Sequence, residues 1–191
     1  MMPPYSSRDN LKIVLGGGPK KTEGWLNMDI LRVPEVDIVC DLNQGIPLPD
    51  NSVVAISAKH LLEHLDDTVK IMEEIWRVSK PGAIVSIKVP YYASMGAYQD
   101  PTHRRFFTEK TFQYFLPHKE RRTVPNYGFR GEFEIVRIGY IWSARWVRYL
   151  PFKSFFRKHF LNIAKTMIVE LCVVKSGIDK GLSQEKMPNI V

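Results

Sequence analysis

Three short stretches of the chain combine residue types that can do chemistry. In the first, Ile13-Val14-Leu15 runs directly into Gly16-Gly17-Gly18, and Trp25-Leu26-Asn27-Met28-Asp29 follows soon after. Glycines directly off a strand let the backbone turn sharply and approach a ligand where a Cβ would collide. An acid at the end of the next strand can accept hydrogen bonds from the ribose hydroxyls of a nucleoside cofactor. The competing readings are a strained turn with no ligand and a carboxylate that caps the following loop. In the second, His60-Leu61-Leu62-Glu63-His64 has the H-x-x-E-H spacing of a zinc-hydrolase signature. On a helix, two histidines four apart share a side, and the glutamate can act as a base. In the third, Asp100-Pro101-Thr102-His103-Arg104 puts an acid beside a histidine, the side chain that titrates nearest neutral pH. The same residues can also build a rigid turn capped by their own side chains.

The elements around these stretches decide among the readings. Ile13–Leu15, Leu26–Ile30, Val36–Cys40, Val53–Ala58 and Ala83–Val89 read as strands, the fourth apolar except at Ser57, as expected of a strand buried on both faces. Only about ten residues separate the first two, too few for a normal crossover helix. Asp66 or Asp67 is expected to cap a helix reaching Ser79. Val69, Met72 and Trp76 form its stripe, with Ile71, Ile75 and Val78 beside them. Lys80-Pro81-Gly82 is expected to stop it before the next strand. Strand, helix and strand with both strands apolar is the pattern of a doubly wound α/β sheet. Thr108 reads as an N-cap for a short helix through Phe115, and Glu132–Tyr140 and Ala164–Val174 read as two further strands. The aperiodic, aromatic and charged span Tyr91–Phe107 follows a parallel strand at its carboxyl end, where such sheets bind ligands. Because His60–His64 sits at a strand mouth and the helix starts only after it, no zinc-hydrolase site and no metal are expected.

The chain has 191 residues, which points to one domain at roughly 100–200 residues per domain, here 1–191 with an insertion at 142–162. Cys40 and Cys172, the two cysteines, both fall in apolar runs and read as buried free thiols. The amino terminus lacks the charged and apolar regions of a signal peptide, and no apolar stretch reaches the ~18 residues of a spanning helix. The cytoplasm is the expected location. The formal charge of +7 concentrates at Arg104-Arg105, Arg121-Arg122 and from Ile141 to Phe160. No fingerprint of a nucleic-acid module accompanies it, so nucleic acid is not the expected partner.

Three cofactor classes can use a glycine loop after a strand. A P-loop would place its glycines on Leu15 and Lys20, which fails. A dinucleotide fingerprint needs glycine where Lys21 stands, and it needs a helix N-terminus for the pyrophosphate. S-adenosylmethionine carries no pyrophosphate and requires only a close turn, a ribose acid and an adenine pocket.

At this point the chain resembles the class I S-adenosylmethionine-dependent methyltransferases, most of all a compact bacterial and archaeal branch of predicted methyltransferases. Leu15-Gly16-Gly17-Gly18 is similar to their first motif, with Gly17 in place of a cysteine. Gly24-Trp25-Leu26-Asn27-Met28-Asp29 matches the second, and Asp37–Leu42 continues it. Ile46-Pro47-Leu48-Pro49-Asp50-Asn51-Ser52, His60–Leu65, Arg77–Gly82 and Asp100–Arg104 extend the series, from Leu11 to Phe115 in all. The resemblance implies a Rossmann-like three-layer sandwich whose mostly parallel, seven-stranded sheet ends in an antiparallel strand. It also implies S-adenosyl-L-methionine as cofactor: Gly16, Gly17 and Gly18 at the turn, Asp29 on the ribose, Asp41 near adenine, and Leu42, His60 and Leu61 in the pocket wall. Two departures stand out. Val14 occupies the position where many relatives carry an acid, and the first crossover is shortened, which leaves Lys20, Lys21 or an incoming loop to complete the methionine end.

The implied function is methyl transfer to oxygen or nitrogen of a small or lipid-linked metabolite. The alternatives are an NAD-type nucleotide-dependent oxidoreductase and a non-enzymatic RNA-binding protein. Methyl transfer from a sulfonium depends chiefly on alignment. A base is needed only when the acceptor must shed a proton. His103 is the candidate base and Asp100 the residue that fixes its tautomer or binds the acceptor. Tyr91, Tyr92 and Tyr98 are placed to shape an acceptor pocket, and Tyr5 or Trp25 to cover the cofactor. In the 142–162 insertion, Trp142, Trp146 and Tyr149 share one helical face before Pro151, and Phe152, Phe155, Phe156, Phe160 and Ile163 share another after it. Burial against the sheet is the simplest expectation. A homodimer face, a lid or a peripheral membrane contact, with Arg145, Arg148, Lys153, Arg157 and Lys158 around the aromatics, are the alternatives.

Overall fold

Strands β1 (Leu11–Leu15), β2 (Leu26–Asp29), β3 (Ile38–Val39), β4 (Val53–Lys59), β5 (Ser79–Pro90), β6 (Glu132–Trp142) and β7 (Ala164–Val174) form one sheet in the order β3-β2-β1-β4-β5-β7-β6. The computed structural model describes residues 10–117 and 128–175. The expectations for Tyr5 and Arg121-Arg122 lie outside the described residues. The five strands from β3 to β5 are parallel, and β7 enters antiparallel between β5 and β6. The α/β architecture and the antiparallel last strand are those expected from the sequence. The chain passes from β1 to β2 on one side and returns from β3 to β4 on the other, so the strand order reverses between β1 and β4, and doubly wound sheets bind ligands at the carboxyl ends of the strands at such a point.

Among the described residues no helix joins β1 to β2, β2 to β3, or β3 to β4. The missing first crossover is therefore as expected, and the economy extends further along the chain. Helix α1 (Thr68–Val78) connects β4 to β5, and the Asp67 carboxylate caps it by accepting the Val69 and Lys70 N–H groups at 2.8 and 3.0 Å. Ile71, Met72, Ile75 and Val78 face the core, while Val69 and Trp76 are only partly buried against it. Arg77 at the end of α1 donates to the Leu48 and Ile46 carbonyls and to Asp50 and Glu74, and Glu74 accepts the Ile46 N–H. That fork holds the proline-rich 46–50 turn on the helix.

Strand boundaries differ from expectation in two places. β5 begins at Ser79 directly after α1, and Lys80-Pro81-Gly82 forms a bulge inside it, between the Val53–Ser79 and Ala55–Ile84 pairs. Gly82 has φ +78° there. β3 shrinks to two residues because it is an edge strand that pairs only with Met28 and Asp29.

Helices α2 (Glu109–Gln113) and α3 (Lys153–His159) frame the other end of the sheet. Thr108 caps α2 as expected, in a reciprocal arrangement with Thr111. The insertion between β6 and β7 is helical and broken at Pro151, again as expected: a 3₁₀ turn at Arg145–Tyr149 precedes α3. Its faces are reversed from expectation. Trp142 closes β6, while Phe152, Phe155 and Phe160 are exposed and Arg157 is the buried residue of α3, 7% exposed. The reason is local. Arg157 donates to the Tyr140 and Tyr91 hydroxyls at 2.7 and 3.1 Å, stacks on the Tyr140 ring and forms an ion pair with Glu109. A buried guanidinium persists only when its donors are matched in this way. No helix among the described residues is long and apolar enough to cross a membrane.

Asp67→Ala leaves two first-turn N–H groups of α1 without their acceptor. It is expected to lower stability by about 1 kcal/mol, measured as a reduced urea midpoint at unchanged slope.

Candidate functional site

The turn after β1 is built by residues of β2. Gly16 and Gly18 adopt φ +65° and +55°, a region that only glycine enters cheaply. A Cβ on Gly17 would lie 2.2 Å from Asn27 Oδ1, and one on Gly16 would lie 2.9 Å from Leu61 Cδ1. At Gly18 nothing lies within 4 Å of that position. Two of the glycines are thus required by protein neighbours alone, and the third faces open space at the crevice.

Asp29 is 8% exposed, and both its oxygens are engaged. Oδ2 accepts the Gly18 N–H at 2.8 Å, and Oδ1 accepts the Leu31 N–H at 2.9 Å. The first bond ties the acid to the glycine turn, and the second is the loop cap weighed against a ribose role. Each carboxylate oxygen retains a further lone pair for a ligand hydroxyl. Asn27, which sequence reasoning passed over, is the organiser of the turn. Its buried Nδ2 donates to the carbonyls of Gly18 and Glu35 at 2.8 and 2.9 Å, with a longer contact to Lys20 at 3.4 Å. A polar residue in the middle of an apolar strand was the available signal. Asp37 accepts the Asn27 N–H and the Lys21 ammonium. Burial opposes its ionisation, but these two bonds outweigh that and keep its carboxyl below the usual range.

Asp41 forms an Asx turn, accepting the Asn43 backbone and side-chain N–H groups at 2.9 and 3.2 Å, and Leu42 beside it is core. Between the two acids lies Cys40. Burial, then the charges of Asp29 and Asp41, push its thiol up to about 11. On the other wall, Leu61 packs against Gly16. His60 is in the left-handed region at φ +53°, and its Nδ1–H donates to Glu63 Oε1 at 3.2 Å. Leu62–His64 is a 3₁₀ turn. His60 and His64 therefore do not share the helix face that a zinc-hydrolase signature needs.

The 91–107 span is a closed excursion. Tyr91 and Phe107 form a bridge at its ends, and Arg104 and Arg105 donate their backbone N–H groups to the Glu63 carbonyl. Asp100 Oδ1 accepts both the N–H and the hydroxyl of Thr102, at 2.8 and 2.7 Å, and these bonds hold its carboxyl below the usual range. This is the self-capped turn. His103 is inward-facing, its side chain 8% exposed. Its Nδ1–H donates to the Ala97 carbonyl at 3.0 Å, whereas Asp100 Oδ2 lies 3.9 Å from Nε2. The expectation that Asp100 fixes the His103 tautomer is therefore corrected: a backbone carbonyl does so, because it can only accept. Met95, Tyr98 and Phe106 are exposed on this loop. Ser94, Met95, Tyr98, Gln99 and Leu161 line a cavity of about 290 Å³ between it and the segment after α3.

Residues 22–87 match the family model described as "Methyltransferase domain". The match spans Asp29, Asp41, Leu42, His60 and Leu61, and begins just after the glycine turn. No curated protein matches the chain at a significant level. Among solved structures, a SAM-dependent methyltransferase from Archaeoglobus fulgidus superposes with a TM-score of 0.61 at 14% identity, over 88% of each chain. A Haloferax volcanii complex of a methyltransferase with the Trm112 methyltransferase activator gives 0.55 at 11% identity, over 89% of this chain and 85% of that one. The [4+2]-cyclase SpnF gives 0.53 at 17% identity, over 89% and 77%. At these identities the likeness establishes the fold, and SpnF illustrates that a fold alone does not dictate the reaction. Residues 22–87 thus match a methyltransferase domain, and the chain has the fold that these solved S-adenosylmethionine-dependent methyltransferases share.

Gly17→Ala drives a methyl group into Asn27 Oδ1 and is expected to cost about 1–3 kcal/mol, read as a lowered urea midpoint. Because only the thiolate is nucleophilic, Cys40 alkylation is expected to be slow at neutral pH and to climb about tenfold per pH unit until about 11. Mass-spectrometric labelling rates, lower in the parent than in Asp29→Asn, check this.

Proposed function

We propose that the chain moves a methyl group from S-adenosylmethionine to oxygen or nitrogen of a small or lipid-linked metabolite, with the cofactor seated in the crevice beyond β1 and β4. The observation that carries the reading is the glycine turn closed on Asp29, with Gly18 open to the crevice. In this reading Asp29 receives the ribose hydroxyls on its remaining lone pairs. Gly16, Gly17 and Gly18 let the backbone come close. Asp41 and Leu42 lie at the adenine end, and His60 and Leu61 form the opposite wall. Ile30, directly after Asp29 and 66% exposed, offers apolar surface that an aromatic base would cover.

The bound cofactor supplies an electrophilic methyl on a sulfonium, and the protein's part is alignment and exclusion of water. The cavity at Ser94–Gln99 and Leu161 is where the acceptor's apolar portion fits. On the insertion that leads to Leu161, the exposed Trp146, Tyr149, Phe152 and Phe155 with Arg145, Arg148 and Lys158 favour a lipid-linked acceptor, because aromatic side chains among cations suit an interface. Asp100 and His103 are positioning residues at the acceptor end in this proposal. The inward turn of His103 withdraws it from the role of a free base.

Two measurements on one preparation test the reading. Calorimetry is expected to show binding of S-adenosylhomocysteine, weakened about ten- to hundredfold in Asp29→Ala, in keeping with the loss of charge-assisted hydrogen bonds. Binding of NAD in its place would favour the oxidoreductase and overturn the cofactor assignment. Labelled methyl from S-adenosylmethionine is expected in the small-molecule or organic-soluble fraction of an extract. Incorporation only into RNA or protein would overturn the acceptor class.

A further inference from the structure

Glu63, His64 and His103 gather where the loops after β4 and β5 meet, and each offers a ligating atom within 4.8 Å of the others. They come from two separate stretches: the 3₁₀ turn after β4 and the loop after β5. Glu63 is 1% exposed. Its Oε1 accepts from His60, but its Oε2 is buried with no hydrogen-bond partner. A buried carboxylate oxygen left without a donor costs stability unless something positive or protic meets it.

The two imidazoles have their protons placed by their neighbours. His103 Nδ1–H donates to the Ala97 carbonyl. The Thr102 hydroxyl spends its proton on Asp100 Oδ1, so its oxygen accepts from His64 Nδ1–H at 2.9 Å. Both rings therefore keep a lone pair on Nε2. Second-partner hydrogen bonds of this kind orient metal-binding histidines and fix their tautomer. The nearby cations do not occupy the cluster: the Arg104 side chain pairs with the Asp66 carboxylate, and the Arg105 side chain donates to the Asp66 carbonyl.

We propose that Glu63, His64 and His103 bind one divalent transition-metal ion of the zinc class. Two imidazoles and one carboxylate suit zinc, iron or cobalt, whereas magnesium and calcium prefer all-oxygen sites. Three protein ligands leave open positions for water or a substrate oxygen. Asp100 Oδ2, 3.9 Å from His103 Nε2, stands at the rim as a further oxygen. Ligands around tetrahedral zinc sit about 3.4 Å apart, so closing on the ion requires inward shifts of about an ångström. The ligand set differs from the H-x-x-E-H signature. His60 holds Glu63 from outside, and His103, distant in sequence, takes the position that the signature would give it. Binding here does not depend on the methyl-transfer reading.

The test uses the full chain, stripped with chelator and freed of any affinity tag, titrated with zinc by calorimetry and with cobalt by visible absorption. One equivalent per chain is expected, with cobalt bands of a low-symmetry nitrogen and oxygen site. His64→Ala and the near-isosteric Glu63→Gln are each expected to weaken zinc about a hundredfold. Thr102→Val, which removes the partner of His64 and one donor to Asp100 while leaving all three ligands in place, is expected to weaken it about tenfold. His159→Ala, on α3, is expected to match the parent. Circular dichroism confirms that each variant is folded, and the half-buried His64 is the substitution least costly to the core. Failure of the parent chain to bind zinc stoichiometrically would overturn the proposal. So would full retention of binding in folded His64→Ala and Glu63→Gln, or a preference for magnesium.

Discussion

A glycine turn without a following helix has to satisfy its own backbone polar groups, and that constraint shapes the β1–β2 end of the molecule. In most doubly wound folds the first helix takes up the amides after the first strand. Here β2 does so through side chains. Asp29 accepts the Gly18 N–H, and Asn27 donates to the Gly18 and Glu35 carbonyls. The acid proposed for the ribose is therefore also the residue that sets the turn, and the proposed contact draws on lone pairs that the turn leaves free. This sharing accounts for a short connection in place of a helix. It also links the binding crevice to the stability of the sheet's β1–β2 pair.

The same economy appears at the far end of the sheet. Arg157, Glu109, Tyr91 and Tyr140 form one buried polar cluster that anchors the insertion to the sheet and to α2. Burial and the neighbouring Tyr91 raise the Tyr140 hydroxyl's pKa, so it stays protonated and donates to Glu109. With the arginine in the inner position, Phe152, Phe155 and Phe160 are left exposed, and Leu161, next along the chain, lines the cavity with Ser94, Met95, Tyr98 and Gln99. An exposed aromatic surface follows from one matched guanidinium inside.

Between these two ends the loop after β5 is pinned onto the loop after β4 by the Glu63 carbonyl and by the chain of bonds from His64 through Thr102 to Asp100. Asp100, first read as the partner of His103, serves here as part of that scaffold. The proposed methyl transfer, governed by alignment, tolerates that, since most of its demand on the protein is geometric.

Much was legible in the chain itself. The glycine turn after a strand, the absent first crossover, the Asp67 and Thr108 caps, and the Glu132 and Ala164 strands follow from local rules: φ preference, loop length, capping and apolar periodicity. So does the family resemblance, because its motifs are local. What the sequence alone could not decide was partnership across distance. That Asn27 braces Gly18, that Ala97 rather than Asp100 sets the His103 tautomer, that Arg157 and not the phenylalanines is buried, and that Glu63 and His64 meet His103 all depend on segments brought together by the sheet order. Hydrophobic period assigns a face by counting apolar residues. A charged side chain crosses to that face when folding delivers enough hydrogen-bond partners to replace water, and only the tertiary structure shows where that happens.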